Sequence, residues 1–503
     1  VIVPSQIVLS LIVFVPLAAA AVLLVPGWTG QAIRWLWVAV TTVDLALVGW
    51  AWWIYDSPVG GELALDAQVP WIPGVDSSYH VGVDGLSLPL IAMTAVIFLA
   101  CAIYALRDTD DRPRAQVALF LLLQSVSLGL FAAADLILFF VFFDLSIVAM
   151  YFVIAGWGHG DARRSALKFF LYTFVGSLVL LLGFIGLYVV ADPHTFDMVE
   201  LAAQSPSADG TLTGGFILAA ILLGLAIKTP AVPFHTWLPP AHTDAPAIGS
   251  AVLAAVLLKM GTYGFVRVAM PMLPGSWQDW APVVIAVGVV SVIYGALVAL
   301  AQTDLKRMIA YTSVNHMGYV LVAVGAAGVV AADTADARSV AVIGAVTQMV
   351  SHGLITGALF LLAGVFFARA DSYDLDGYGG LASSAPRLAT LFSLGAFASL
   401  GLPAFSGFIA EFQIFTGSIA AVPVTAVALV GILLVAGLFL WALQRIFTGP
   451  VAGRSPGFAD LRVTETAAVG VLIALSIVIG VMPRPLLDVI EPAATTLVDL
   501  VGR

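Results

Sequence analysis

Apolar runs about the length of a bilayer alternate along this chain with short polar connections. A spanning helix needs about 20 predominantly apolar residues. That measure predicts fourteen spans, at 6–26, 33–55, 84–106, 114–134, 135–157, 164–191, 213–232, 246–270, 280–303, 307–331, 338–368, 387–418, 421–446 and 463–482. The long polar connections are 56–83 and 192–212, and neither could form an independent domain. The expected fold class is therefore an all-α polytopic membrane protein, with residues 1–503 forming a single membrane domain. The apolar start at Ile7 imitates a secretory signal. It lacks a basic leading region, and thirteen further spans follow, so a retained first helix is expected.

Composition agrees. Apolar residues make up 61% of the chain and charged residues 10%, with a mean hydropathy of +1.06. Soluble domains carry about 25% charged residues, so this chain has too little polar surface for water. A soluble enzyme, a secreted disulfide scaffold and a disordered chain are excluded. The net charge of −10 argues against a nucleic-acid partner. The single cysteine, Cys101, lies in an apolar run and reads as a small buried residue. No disulfide, iron–sulfur motif or thiolate zinc site is expected.

Basic residues suggest an orientation, because cytoplasmic loops are enriched in Lys and Arg. The odd-numbered loops hold 14 of them, including Arg34, Arg107, Arg112, Arg114, Lys306 and Arg307. The termini and even-numbered loops hold 4, namely Arg267, Arg338, Arg484 and Arg503. Both termini are predicted to face away from the cytoplasm. The two remaining basic residues, Lys228 and Lys259, fall in no loop.

An ionisable group in hydrocarbon costs at least about 2.5–3.5 kcal/mol, so each is a functional candidate. Six stand out: Asp144, Lys228, Lys259, His316, His352 and Glu411. Each has a plainer reading as a helix–helix hydrogen-bonding or snorkelling residue, and for the two histidines that reading is the stronger rival. Asp44, midway along the second span, suits a structural or peripheral role. Pro230 and Pro233 interrupt the chain just after Lys228, and Pro403 and Gly407 precede Glu411.

Spans 4–8 (residues 114–270) and 9–13 (residues 280–446) can be read as two five-span units. Five is odd, so the second unit has inverted topology, and the fourth span of each, spans 7 and 12, is the broken one. Paired interrupted helices in inverted repeats point to an ion pathway near the midplane. The first unit supplies Asp144, Lys228 and Lys259; the second supplies His316, His352 and Glu411. A lysine and a carboxylate sharing a low-dielectric site bias each other's protonation, and histidines suit the steps between. The chemistry this implies is proton relay. No Walker A sequence and no strand-borne G-x-G-x-x-G is present. His235 and His242, in HTWLPPAH, lack i,i+4 spacing and a completing carboxylate, and read as loop residues. His80, His159 and His194 also read as loop residues, so no metal or cofactor site is expected.

The segment KTPAVPFHTWLPPAHTDAPAIGSAVLAAVLLKMGTYG resembles the proton-translocating antiporter-like subunits of respiratory complex I. VDGLSLPL at 83–90, AQTDLKRMIAYTSVNHMGY at 301–319, TQMVSHGLITGALFLLAGV at 347–365 and LGLPAFSGFIAEF at 400–412 extend the resemblance. Glutamate rather than lysine on span 12, and an end soon after span 14, single out one branch of the family. The resemblance implies that Lys228 pairs with the span-5 carboxylate, that Lys259 and His352 form the central relay, and that Glu411 is the terminal proton site. One departure is Asp144, where the family usually carries glutamate.

The resemblance further implies a subunit of NADH–quinone oxidoreductase in a bacterial cell membrane. Its expected partners are other membrane subunits, especially the L and N antiporter-like subunits, and the lipid bilayer, with no nucleic acid. NADH, FMN, iron–sulfur clusters and quinone are expected in other subunits and none in this chain. Two other classes share the core, a multi-subunit sodium/proton antiporter and an energy-converting hydrogenase. Low lysine with high Arg, Ala and Val usage points to a GC-rich bacterium, and within that group to an actinobacterium.

Overall fold

A computed structural model describes residues 4–58, 60–107, 112–204, 206 and 208–502. Arg503, counted above among the terminal basic residues, lies outside them.

Helices α1 (Pro4–Val22) and α2 (Gly30–Trp53) lead into an antiparallel hairpin, β1 (Ala64–Ile72) and β2 (Ser77–Val83). There follow α3 (Leu88–Tyr104), α4 (Pro113–Ala132), α5 (Leu136–Trp157) and α6 (Ala162–Val190). Helix starts are built from local capping. The Asp135 side chain accepts the Ile137 and Leu138 amides at 2.8 and 3.0 Å, satisfying donors that the first turn of α5 leaves free. Connection 192–212 contributes a short helix, α7 (Met198–Gln204).

The seventh predicted span is indeed interrupted. Helix α8 (Leu212–Lys228) stops at Lys228, and the chain resumes as α9 (Leu238–Asp244). Backbone groups freed in between find protein partners, as they must away from water. Trp237 Nε1 donates to Ile227 O at 2.9 Å, and the Val232 amide donates to Ser291 Oγ at 3.0 Å. Helix α10 (Ala247–Met272) contains two π-turns, at Leu253–Leu257 and Phe265–Ala269, on either side of Lys259.

Next come α11 (Pro274–Leu300), α12 (Leu305–Gly328) and α13 (Ala335–Ala370). Helix α13 has 36 residues, roughly 54 Å of helix, and is almost wholly buried. It forms the central pillar, packed against α10, α12 and the second interrupted span. That span is α14 (Pro386–Ser399) and α15 (Ser406–Ala421), with α16 (Leu429–Phe447) and α17 (Val463–Val481) following.

Ten helices among the described residues are long and apolar enough to cross a membrane; Ile7–Val22 and Leu212–Lys228 are shorter apolar helices. Apolar side chains left exposed on α6 and α16, such as Leu171, Leu182, Leu433 and Leu440, suit lipid or a neighbouring subunit.

The hydropathy count passed over two features. The hairpin is one. The other is α18 (Arg484–Val501), which buries Leu486, Ile490, Ala494, Leu497 and Val501 on one stripe while Asp488, Glu491 and Asp499 face outward. Its helical periodicity is legible, but it is too polar for a rule that searches for spans.

Candidate functional site

Lys228 is the last residue of α8 and is 1% exposed. Gly261 and Gly264 on α10 allow close approach here; a Cβ on Gly261 would sit 2.4 Å from Thr229 Oγ1. Lys228 Nζ donates to Ser146 Oγ on α5 at 3.1 Å and lies 4.7 Å from the Phe143 ring centroid. The expected direct pair with Asp144 is not formed within 4.0 Å. Asp144 and Ser146 are two residues apart, hence about 200° apart around α5, and Asp144 instead meets Ser177 on α6. The aspartate and the lysine are therefore not in direct contact, and Lys228 is met by a serine from another face of α5.

Lys259 is fully buried. Its Nζ donates to Ala254 O at 2.6 Å, within the first π-turn, and stands 2.6 Å from His352 Nδ1 on α13. Either nitrogen of that contact can hold the shared proton. His352 Nε2 has no partner among the described residues. The ring centroids of His352 and His316 are 5.3 Å apart.

His316 on α12 reaches the second break, where its Nε2 lies 3.2 Å from Ser399 O and 3.8 Å from Glu411 Oε1. Glu411, 6% exposed, lies in the second turn of α15. Gly401 has φ +75°, and a Cβ there would stand 2.4 Å from Glu411 Oε2. Glycine is therefore favoured by the conformation, and its missing Cβ leaves room for the Glu411 carboxylate. A small polar cavity lined by His316, Gln348, Ser351, His352 and Glu411 lies between these groups.

The six candidates thus fall into two groups. Lys259, His352, His316 and Glu411 form a continuous cluster, while Asp144 and Lys228 are not in contact but lie near enough for each charge to act on the other.

Several expectations need correction. His242 is not a loop residue: it lies in α9, wholly buried and stacked on Phe360 at 4.4 Å, with both ring nitrogens unpartnered. Electrostatically it faces both Lys259 and Lys306. Lys306, counted as a loop cation, is 0% exposed, donates to Ala245 O at 2.5 Å and lies over the Tyr373 ring. Its neighbour Asp304 caps α12, so the charge run marks a buried helix start. His235 does lie in the connection between α8 and α9, as expected, and is buried there near Tyr294. His80 belongs to β2, where its Nδ1 is 2.5 Å from Asp197 Oδ2 and its Nε2 is 2.6 Å from Asp66 Oδ1. Arg34 and Arg338 are also buried, each donating to a backbone carbonyl. Ser351, Ser406 and Ser476 form a hydroxyl chain with 2.8 Å steps, which no sequence spacing could reveal because it crosses three helices.

A helical membrane bundle with two interrupted spans and a buried lysine–histidine–glutamate cluster defines the class of broken-helix ion-translocating proteins. The family described as NADH:quinone oxidoreductase/Mrp antiporter, transmembrane, matches residues 133–437. This chain belongs to that family. It is 38% identical to NADH-quinone oxidoreductase subunit M of Rhodobacter capsulatus, over 98% of this chain and 97% of the relative. It is 37% identical to F(420)H(2) dehydrogenase subunit M of Methanosarcina mazei, over 98% of each. Among solved structures it is similar to a chain of respiratory complex I from Thermus thermophilus, with a TM-score of 0.88 and 29% identity over 98% of this chain and all of that one. A chain of the Mrp complex from Dietzia sp. shares the fold, at a TM-score of 0.85 and 22% identity over all of both chains.

Proposed function

We propose that this chain is an M-type antiporter-like subunit of a respiratory NADH–quinone oxidoreductase, coupling electron transfer elsewhere in the complex to proton movement through its own buried groups. The observation that carries the proposal is the 2.6 Å contact of Lys259 with His352, continuous with His316 and Glu411 at one helix break. Lys228 ends the other broken helix, bonded to Ser146 and within reach of the Asp144 charge. In this reading a proton shared by Lys259 and His352 passes through the polar cavity to Glu411. Charge at Asp144 biases the protonation of Lys228.

The 36–39% identical relatives named as oxidoreductase M subunits support this assignment over a free-standing antiporter, whose similarity at 22% identity concerns the fold alone. The two five-helix units, 114–270 and 280–446, are read as inverted repeats, with both termini on the non-cytoplasmic side of a bacterial membrane. The L and N subunits are the proposed neighbours. NADH, FMN, iron–sulfur clusters and quinone belong to other subunits.

Mass spectrometry of the detergent-solubilised native complex tests the assignment: co-purifying NADH- and quinone-binding subunits are expected, and small antiporter subunits in their place would overturn it. Labelling of a cysteine introduced at residue 502 tests the topology, since reactivity from the cytoplasm alone would refute it.

A further inference from the structure

Asp44 has no place in this relay, and its surroundings are unlike those of the relay groups. It lies midway along α2, fully buried, with Oδ2 2.5 Å from Gln124 Nε2 on α4. Two oxygens at this contact lack a donor: Asp44 Oδ1 and Gln124 Oε1 are both buried and unpartnered. Two buried acceptors with nothing to accept are costly in hydrocarbon, and one proton placed on Asp44 Oδ1 and donated to Gln124 Oε1 would satisfy both.

The neighbouring elements offer no counter-charge. Helices α1 (Pro4–Val22) and α3 (Leu88–Tyr104) contain no charged residue. Helix α4 contains only Arg114, ten residues from Gln124 and so roughly 15 Å of helix away. Arg34 is as far from Asp44 along α2, and its guanidinium donates to Ala105 O at 2.7 Å. Arg107 and Arg112 stand beyond the ends of α3 and α4, and Arg112 donates to Gly156 O. Among the described residues, then, no cation faces Asp44, in contrast to Asp144 and Glu411, which have Lys228 and His316 nearby.

We propose that Asp44 is a proton-binding site outside the translocation path, occupied throughout turnover. The carboxylic acid O–H on Oδ1 donates to Gln124 Oε1, while Gln124 Nε2 donates to Oδ2. This closed acid–amide ring fastens α2 to α4 and leaves no net charge in the bilayer.

The test uses the whole complex. Asp44→Asn supplies one donor and one acceptor in nearly the same shape, so normal assembly and normal proton pumping are expected. Asp44→Leu strands both polar atoms of Gln124, and a loss of assembled complex is expected. The infrared difference between wild type and Asp44→Asn is expected to show the loss of one carboxylic acid C=O stretch that shifts in D2O. Failure of Asp44→Asn to assemble, reduced pumping in that variant, or loss of carboxylate bands in place of the acid band would each overturn the proposal.

Discussion

Lys228 and Glu411 mark the two interrupted spans, yet opposite ends of half-helices carry them. Lys228 is the last residue of α8, where unsatisfied carbonyls gather about half a negative charge. Glu411 follows the start of α15, whose first amides bring positive partial charge. The sign of each side chain matches the polarity of its helix end. That influence fades beyond one turn, so Lys228 feels it more strongly than Glu411. The glutamate depends more on space, through Gly401, and on His316 3.8 Å away. A helix break can therefore host either charge, depending on which half-helix presents it.

The largest expected effect comes from removing the titrating function at each break. Lys228→Met and Glu411→Gln should assemble but lose NADH-driven proton uptake in inverted vesicles. Lys228→Arg sharpens the comparison, because arginine keeps the charge at the helix end but does not release its proton. An assembled, non-pumping Lys228→Arg complex is expected; normal pumping would reduce Lys228 to a structural charge.

Asp144 comes next. Asp144→Asn should be severe and Asp144→Glu mild, because glutamate keeps the charge and reaches further toward Lys228. Its extra methylene costs about 1–3 kcal/mol if the interface is tight. The reverse ranking, with pumping normalised to assembled complex, would mean that Asp144 serves packing.

Smaller effects probe the supports. Ser146→Ala removes the hydroxyl acceptor of Lys228, an effect of about 1.5–3 kcal/mol if the lysine is charged. Gly401→Ala forces a left-handed alanine, costing about 1–2 kcal/mol, and also crowds Glu411. Thermal denaturation of the complex should register both as losses, and an unchanged midpoint in either would remove that residue from the comparison.

The smallest effect lies outside the membrane, at the hairpin. Burial opposes a charge on His80, but Asp197 and Asp66 outweigh it and raise its pKa from 6.5 to about 9. Because the folded value is the higher one, the stabilisation is complete below pH 6.5 and is lost as pH rises through about 9. Asp66 is half exposed, so solvent screens its share. Amide protection in residues 64–83, taken relative to the intrinsic exchange rate at each pH, should fall across that window, and His80→Gln should flatten the dependence. Wild-type hairpin protection indifferent to pH would discount the ion cluster.

The broken spans were legible because proline cannot continue a helix, and Lys228, Lys259 and Glu411 because charge is rare in apolar runs. His242 and Lys306 were misplaced for the converse reason. Each lies near polar or proline-rich sequence that resembles a loop, and only packing shows that a short helix and the start of α12 bury them. The hairpin was hidden because hydropathy does not register cross-strand pairing.

Sequence alone determined the solvent of this chain, the approximate extent of its helices, the positions of both breaks and the ionisable groups that interrupt its apolar runs. These follow from transfer free energies and backbone chemistry, which are local to each segment. Tertiary structure decided which groups meet: Lys259 with His352, His316 with Glu411, Asp44 with Gln124, and Ser146 rather than Asp144 with Lys228. Hydrogen bonds and charge interactions depend on ångström separations between helices far apart in the chain. A change of side-chain direction of about 200°, such as the one dividing Asp144 from Ser146, changes the partner without leaving a mark on hydropathy.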